Sequence, residues 1–212
     1  MSEKTISAIK KARESKKRNF KQSFDLAINL KSIDMKKVEN KIKTEISLPH
    51  GFGKVSKVGI IVDSLAPQAK NLENIVLITK AELENLGKNK KLVKKLANEC
   101  RYFVAEAPLM PLVGKNLGPV LAVRNLMPQP IPPTTSNLKD LVRQKSNVIK
   151  IQLKDSPVIH CPIGFENMED EKIAENIDTV VKAVIAALPK GKEQIKNAYV
   201  KLTMGKPVKI EL

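Results

Sequence analysis

The chain has 212 residues, of which 38 are Lys or Arg and 22 are Asp or Glu, giving a formal net charge of +16. Its 42% apolar and 28% charged residues are typical of a folded globular protein and exclude a disordered tail. No apolar stretch approaches the ~20 residues of a membrane helix, and the charged N-terminus lacks the apolar core of a secretory signal. We therefore expect a cytoplasmic protein with no membrane partner.

Basic charge is distributed unevenly along the chain. Residues 1–60 hold 15 basic and 6 acidic side chains, residues 61–150 hold 14 and 7, and residues 151–212 hold 9 and 9. Such a surplus attracts polyanions, nucleic acid first, although a solvated lysine-rich surface would have the same composition. Five Phe, two Tyr and no Trp offer few surfaces for stacking single-stranded bases. Folded, largely duplex RNA is therefore the favoured nucleic acid.

The N-terminal part predicts one basic helix and two half-buried strands. Residues 3–17 have a helical apolar spacing with lysines and arginine over the remaining surface. Residues 23–30 and 42–48 alternate between apolar and polar side chains, which predicts strands. Gly51 and Gly53 then allow a tight exit from the second strand.

The pattern changes in the middle of the chain. Short continuous apolar runs at 58–62, 75–78 and 101–105 predict fully buried strands of a parallel sheet. Helical segments at about 80–98 and 108–117 alternate with them, which indicates an α/β unit.

The last part returns to the alternating style after a proline-dense surface segment. Its final strand ends at a glycine, and its clearest helix begins with three acidic residues, which the helix dipole favours. The predicted elements are the stiff segment 128–133, a hairpin of strands 148–153 and 157–163 with its turn at Lys154-Asp155-Ser156, a helix at 169–188 and a strand at 198–204.

The two ends therefore share one style and the middle has another. This predicts an α+β discontinuous first domain, residues 1–65 and 151–212, formed from the N- and C-terminal segments. An inserted three-layer α/β second domain spans residues 66–150. The chain would cross between them near residues 65 and 150.

Signatures of a cofactor or of catalysis are missing. The loop at 50–56 lacks the spacing of a phosphate-binding P-loop, and no dinucleotide-binding glycine pattern follows the strand at 58–62. Acidic residues at 166–178 are typical of a solvated helix face rather than a metal site, and Cys100 and Cys161 are expected to be reduced and buried. We predict no enzyme, no cofactor and no metal. Two alternatives stay open: a nucleotide-dependent enzyme built on the α/β domain, and a sequence-neutral DNA-binding protein.

Two kinds of segment are candidates for RNA contact. The lysine run from Lys88 to Lys95 is either a solvated helix face or a contact with backbone phosphates. Segments 18–23 and 201–206 instead place hydroxyl, aromatic, Met and Gly residues between basic ones, a mixture that suits close packing against a sugar edge. The same residues are equally typical of a strand end with a turn glycine.

Several segments together resemble the family of universal large-subunit ribosomal protein one, the side-stalk protein, and cover nearly the whole chain in order. Segment 18–23 and the helix start at 169–176 resemble its archaeal branch most. The segments that match are KTEISLPHGFGK at 43–54, LMPLVGK at 109–115, LMP at 126–128 and YVKLTMG at 199–205.

This resemblance implies a structural ribosomal protein rather than an enzyme. Its first domain would bind the stalk region of large-subunit rRNA, while its Rossmann-like second domain would contribute less to affinity. The implied activities are assistance in releasing tRNA from the exit site and repression of translation by binding the protein's own mRNA. The implied partners are that rRNA, that mRNA, exit-site tRNA and other ribosomal components.

The resemblance also implies the RNA-binding residues. Two departures from the family pattern are Lys206, where a proline is common, and Val123-Arg124-Asn125, where Pro-Arg-Gly is usual. The residues matching the family's RNA-facing patch are Phe20, Ser23, Thr203, Met204 and Gly205, and those beside them are Arg18, Gln22, His160 and Lys201.

Overall fold

A computed structural model describes most of the chain and groups it into two compact units. The first unit comprises residues 1–54 and 147–212, and the second comprises residues 55–146. The described residues are 2–16, 18–35, 42–53, 57–69, 72, 74–133, 137–153 and 156–211.

The first unit is built on a four-stranded antiparallel sheet with the strand order β10-β9-β1-β8 and a two-stranded sheet of β2 and β7. Two helices pack on these sheets and against each other. Its elements are α1 (Ser2–Arg13), β1 (Ser23–Leu30), β2 (Lys43–Ser47), β7 (Val148–Gln152), β8 (Val158–Phe165), α8 (Asp170–Ala187), β9 (Ile195–Leu202) and β10 (Val208–Ile210).

The core of this unit follows from the apolar periodicities. Strand β1 alternates strictly, with its even-numbered residues from Phe24 to Leu30 buried against the helices. The acidic start and apolar stripe predicted for 169–188 are confirmed in α8, which buries Ile173, Ile177, Val180, Val181 and Val184. The other face of the sheet is left half-buried or exposed.

The second unit contains a parallel sheet with the strand order β4-β3-β5-β6. Two of the predicted apolar runs form its central strands β3 and β5, because strands buried on both faces need apolar side chains throughout. The third run, at 75–78, forms the edge strand β4, which is half-buried except at Ile78 rather than fully buried. The prolines of the stiff segment fall in and around β6, an edge strand, where a missing N–H is tolerated. The elements are β3 (Lys57–Ile61), α2 (Ala66–Ala69), β4 (Ile75–Ile78), α3 (Lys80–Lys88), α4 (Lys90–Glu99), β5 (Cys100–Glu106), α5 (Met110–Asn116), α6 (Gly118–Leu121), β6 (Gln129–Ile131) and α7 (Leu138–Ser146).

Mixed α/β architecture with one antiparallel and one parallel sheet is thus confirmed, whereas the division into independent domains stays a prediction. The strand β3 precedes the predicted crossing near residue 65 but pairs with β4 and β5 in the second unit. The boundary between the two units therefore lies near residue 54 rather than near residue 65.

Three local predictions need correction. The predicted hairpin is wrong, since β7 pairs with β2 and β8 pairs with β1; its turn residues Lys154 and Asp155 lie outside the described residues. The helix predicted at 80–98 is two helices, because Asn89 ends α3 and caps α4 by accepting from Lys91 N at 3.1 Å. The first helix ends at Arg13, short of the predicted residue 17, which also lies outside the described residues.

The predicted tight exit from β2 is present in the first unit. Gly51 and Gly53 have φ values of +61° and +73°, in the left-handed region that favours glycine. The amide of Asn176 on α8 holds this loop by donating to Gly51 O at 3.0 Å. Residues 54–56, the rest of the loop compared with a P-loop, lie outside the described residues.

Candidate nucleic-acid interface

The candidate site lies at one end of the antiparallel sheet, where β1 begins and β9 ends. In the register of these strands Phe24 pairs with Leu202 and Asp25 pairs with Lys201. The segment before β1 and the turn after β9 therefore come together, although they are about 180 residues apart in the chain. Sequence segments 18–23 and 201–206 are brought to one place by this pairing.

Ser23 and Thr203 form the centre of this junction. Thr203 N donates to Ser23 O at 3.0 Å, and Ser23 N donates to Thr203 Oγ1 at 3.1 Å. The two hydroxyl oxygens lie 3.0 Å apart, and Ser23 Oγ also lies 3.4 Å from Asp25 Oδ1. A hydroxyl can donate and accept at once, so this exposed pair can bond a ribose 2′-hydroxyl or a phosphate oxygen.

The buried side chain of Gln22 supports the turn after β9. Its side chain is only 1% exposed, and its Oε1 accepts from Met204 N at 3.2 Å. Its backbone is tied to Glu166 beyond the end of β8, because Glu166 N donates to Gln22 O at 3.0 Å. Burial makes Gln22 a residue that positions the Met204 backbone rather than a side chain open to a partner.

Phe20 and Met204 are the exposed apolar side chains of the junction. Phe20 is 51% exposed and Met204 is 59% exposed, although large apolar side chains are usually buried. Met204 follows Thr203 directly, and Phe20 lies three residues before Ser23, so both lie just outside the paired residues of β1 and β9. An aromatic ring and a flexible thioether can pack on a base or a ribose without regard to charge.

Gly205 is required by packing within the protein. A Cβ on this residue would lie 2.9 Å from Ser15 Oγ and 3.1 Å from Leu202 Cβ. Gly205 N also donates to Leu202 O at 2.9 Å, which closes the turn. The glycine therefore lets the turn lie close to the segment after α1, whatever it does toward a ligand.

The remaining predicted residues lie farther along the sheet or before it. Lys201 is opposite Asp25, one row from the hydroxyl pair. His160 is opposite Ala27 and exposed, about 14 Å along the strand from Ser23 at ~3.4 Å per residue. Arg18 is exposed in the segment before β1.

Asp25 is a residue of this face that the sequence analysis did not single out. Burial raises the pKa of its carboxyl, and Lys201, the Ser23 hydroxyl and His160 lower it in part. Tyr199 was missed as well: it lies in one row with Ala27, His160 and Lys209 across four strands. The alternation of β1 and β9 was the available signal, since it places Asp25 on the same face as Ser23.

The second unit has a carboxylate at the place where doubly wound sheets bind nucleotides. Strands β3 and β5 are neighbours whose chain connections leave in opposite directions, so their carboxyl ends form the usual crevice. Glu106, 1% exposed at the end of β5, accepts there from Leu65 N at 2.8 Å, Ser64 N at 3.4 Å and Ser64 Oγ at 3.2 Å. These donors are occupied, and the carboxylate repels phosphate.

Other chemistries find little support in the described part of the chain. There, no group of three or more His, Cys, Asp and Glu side chains is arranged to hold a metal ion. No described helix combines the length and apolar character needed to cross a membrane. Cys100 and Cys161 are free and buried, and burial raises their thiol pKa values to about 11 and about 12.

Comparison with known proteins decides the family. Residues 10–206 match the Ribosomal protein L1p/L10e family. The chain belongs to this family. It is 47% identical over 212 residues to the large ribosomal subunit protein uL1 of Methanothermobacter thermautotrophicus, covering 99% of this chain and 100% of that one. It is 46% identical over 210 residues to the uL1 protein of Pyrococcus abyssi, covering 99% and 96%.

Membership of the L1p/L10e family confirms the predicted resemblance and its archaeal character, since both relatives are archaeal uL1 proteins. The family consists of structural, non-enzymatic ribosomal proteins, for which binding of rRNA is general. The chain is therefore a ribosomal protein and not an enzyme.

Proposed function

We propose that the junction of β1 and β9 binds the stalk region of large-subunit rRNA. The observation that carries this proposal is the exposed Ser23–Thr203 hydroxyl pair flanked by two exposed apolar side chains, Phe20 and Met204. Phosphates attract lysines at any sequence, whereas hydroxyl and apolar groups must fit a particular sugar and base surface. These four residues select the RNA site, and the surrounding lysines supply affinity.

Arg18, Lys201 and His160 extend this surface, while Gln22 and Gly205 shape its turn. Arg18 and Lys201 stand on or beside the half-exposed sheet face and neutralise backbone phosphates, and the imidazole of His160 can hydrogen-bond to the RNA backbone. Gln22 acts through the Met204 backbone, and Gly205 acts through its contact with Ser15.

The same junction serves a second RNA. A messenger that folds into a mimic of the rRNA site would compete for the same hydroxyl and apolar groups, so excess protein would repress its own translation. Assistance in releasing exit-site tRNA follows from the position of such a protein on the ribosomal stalk. Both roles rest on resemblance to the family.

Substitution of Met204 tests the rRNA site. We expect Met204→Asp to weaken binding of a stalk rRNA fragment about tenfold or more, because a charge and its water enter a close contact. Filter-binding titration at one fixed salt concentration measures this. Ala186→Asp, an exposed change of equal charge on α8, is the matched control and should change affinity little.

An unchanged affinity of the Met204 variant, with its unfolding transition intact, would remove the Thr203 to Gly205 turn from the site. Equal affinity of the natural protein for duplex DNA and for stalk RNA at matched salt would favour the sequence-neutral DNA-binding alternative instead. The nucleotide-dependent enzyme is disfavoured by Glu106, whose carboxylate occupies the phosphate position.

A further inference from the structure

The helix α4 of the second unit has a charge pattern that disfavours its own stability. It buries Val93 and Ala97; the exposed Lys91 and Lys95 lie on the opposite side, Lys94 lies on the flank, and Lys90 is exposed at the start of the helix. With 3.6 residues per turn, Lys90 faces Lys94 and Lys91 faces Lys95, and like charges four residues apart repel each other. Its first turn contains lysine and no acidic residue, which also opposes the helix dipole.

A fifth cation continues this stripe beyond the lysines. Arg124, in the loop after α6, donates through Nη1 to the Asn98 side chain and to Lys94 O at 3.5 Å. The next residue, Asn125, has φ of +58°, so an asparagine takes the conformation that glycine usually takes. The loop is thereby held against α4, and its guanidinium extends the row of charge.

No described carboxylate pairs with any of these five cations. The acidic residue of α4, Glu99, is 3.5 Å from Lys57 instead. The four lysines span about 8 Å of the helix axis at ~1.5 Å per residue, and Arg124 at Asn98 extends the stripe to about 12 Å. The stripe is therefore a line of unpaired positive charge. The repulsion among its cations is relieved only when a polyanion binds opposite it.

We propose that the α4 stripe, defined as Lys90, Lys91, Lys94, Lys95 and Arg124, binds the phosphate backbone of duplex RNA as a second, sequence-neutral contact. Lysine is depleted from protein–protein interfaces, which favours nucleic acid over an acidic protein as the partner. The stripe contains no aromatic side chain for stacking, so it contacts backbone rather than bases. The stripe lies in a unit separate from the junction of β1 and β9. For the lysine run at 88–95, the proposal favours phosphate contact over a solvated helix face. The Lys88 side chain lies outside the described part.

The test compares two triple variants of the full chain. In the stripe variant Lys91, Lys94 and Lys95 become Gln; in the control variant Lys80, Lys115 and Lys139, exposed on three other helices of the same unit, become Gln. Both lose the same charge. The probe is a 20-base-pair RNA duplex of arbitrary sequence, and its affinity is measured from 50 to 200 mM KCl.

The slope of log affinity against log salt concentration is negative. We expect the stripe variant to reduce its magnitude by about 2 to 3, and the control variant by less than 1. Changing the same three stripe lysines to Arg should keep the natural slope. The stripe variant should unfold at the same temperature or higher, because repulsion within α4 is relieved. A structural role for the lysines would lower that temperature.

Equal slopes for the stripe and control variants would overturn the proposal. So would crosslinking of the stripe to an acidic protein while the duplex slope stays unchanged. Met204→Asp should leave binding of this arbitrary duplex nearly unaltered, so failure of the stripe and failure of the rRNA site give different results.

Discussion

At the scale of single residues, Thr203 shows how the fold and the candidate site share the same atoms. Its backbone closes the ladder between β1 and β9, and its hydroxyl both accepts from Ser23 N and lies beside Ser23 Oγ. The hydroxyl pair is thus fixed before any partner arrives, which reduces the entropy lost on binding. The strand end with its turn glycine and the proposed RNA-facing patch are therefore one structure.

Asp25 sets a pH dependence at the same face. Its folded-state pKa is raised, mainly by burial, above the ~3.9 of an exposed aspartate. In the window between these two values the unfolded chain binds fewer protons than the folded one, so this residue makes stability fall as pH rises. We expect Asp25→Asn to gain stability relative to the natural protein over that window and to keep the gain at neutral pH.

Urea unfolding of both proteins from pH 3.5 to pH 7 measures this difference. Glu193→Gln, an exposed change of the same charge in the first unit, is the control and should show no such rise. A stability difference that falls with pH would mean that Lys201 and His160 outweigh burial at Asp25.

At the scale of elements, Arg13 fastens α1 to the start of α8. Its Nε donates to Asp170 Oδ1 at 2.6 Å, and its two terminal nitrogens donate to the carbonyls of Glu166 and Met168. Its guanidinium also lies 5.2 Å from the centre of the Phe24 ring. One side chain therefore joins two helices, the turn after β8 and the start of β1.

We expect Arg13→Lys to cost about 1–3 kcal/mol of unfolding free energy, because one ammonium cannot reach three acceptors that lie apart, and carbonyls stay unsatisfied. Thermal and urea unfolding of the full chain measure the cost. Lys16→Arg, an exposed change between the same residue types, should stay within about 0.5 kcal/mol. Equal stability of the two variants would show that water replaces the Arg13 contacts.

Elements could be predicted from the sequence wherever burial is periodic. The bounds of β1 and β4 agree with their predicted ranges, because alternation and a continuous apolar run are local signals. The pairing of β7 with β2 could not be predicted, since strand partners depend on contacts about 100 residues apart. Asn89 was missed as a helix boundary because lysines on both sides continue the helical composition.

The residues of the candidate site were likewise predictable only in part from the sequence. Phe20, Ser23, Thr203 and Met204 were found through resemblance, and the structure places them at exposed or partly exposed positions of one junction. Gln22 was expected beside the RNA but is buried, which its sequence neighbours do not reveal. Asp25 was hidden because a lone acidic residue in a strand has no motif of its own.

At the scale of the whole molecule, charge alone does not locate the specific site. Residues 55–146 hold 14 basic and 7 acidic side chains, and the rest of the chain holds 24 and 15. Each unit is therefore positive and attracts RNA at long range. The proposed rRNA site therefore assigns specificity to the uncharged groups of the first unit, and the proposed α4 contact assigns sequence-neutral charge to the second unit.

This division can be tested by removing the second unit. Gly51 adjoins Asn147, and Leu48 N donates to Asn147 O at 3.0 Å, so the two chain crossings lie side by side at the ends of β2 and β7. A four-residue Gly-Ser linker spans up to ~13 Å and can replace residues 54–146. We expect the shortened chain to unfold cooperatively and to bind stalk RNA within about tenfold of the full chain.

Its salt slope should be smaller in magnitude than that of the full chain by at least the amount that the α4 stripe variant loses, because all five cations of the stripe are removed with the second unit. Circular dichroism with thermal unfolding, followed by filter binding over a salt series, measures both properties. A shortened chain carrying Met204→Asp is the control and should lose the remaining preference for stalk RNA over an arbitrary duplex. A folded shortened chain with no such preference would place the specific contacts in residues 55–146, against the assignment of selection to Phe20, Ser23, Thr203 and Met204.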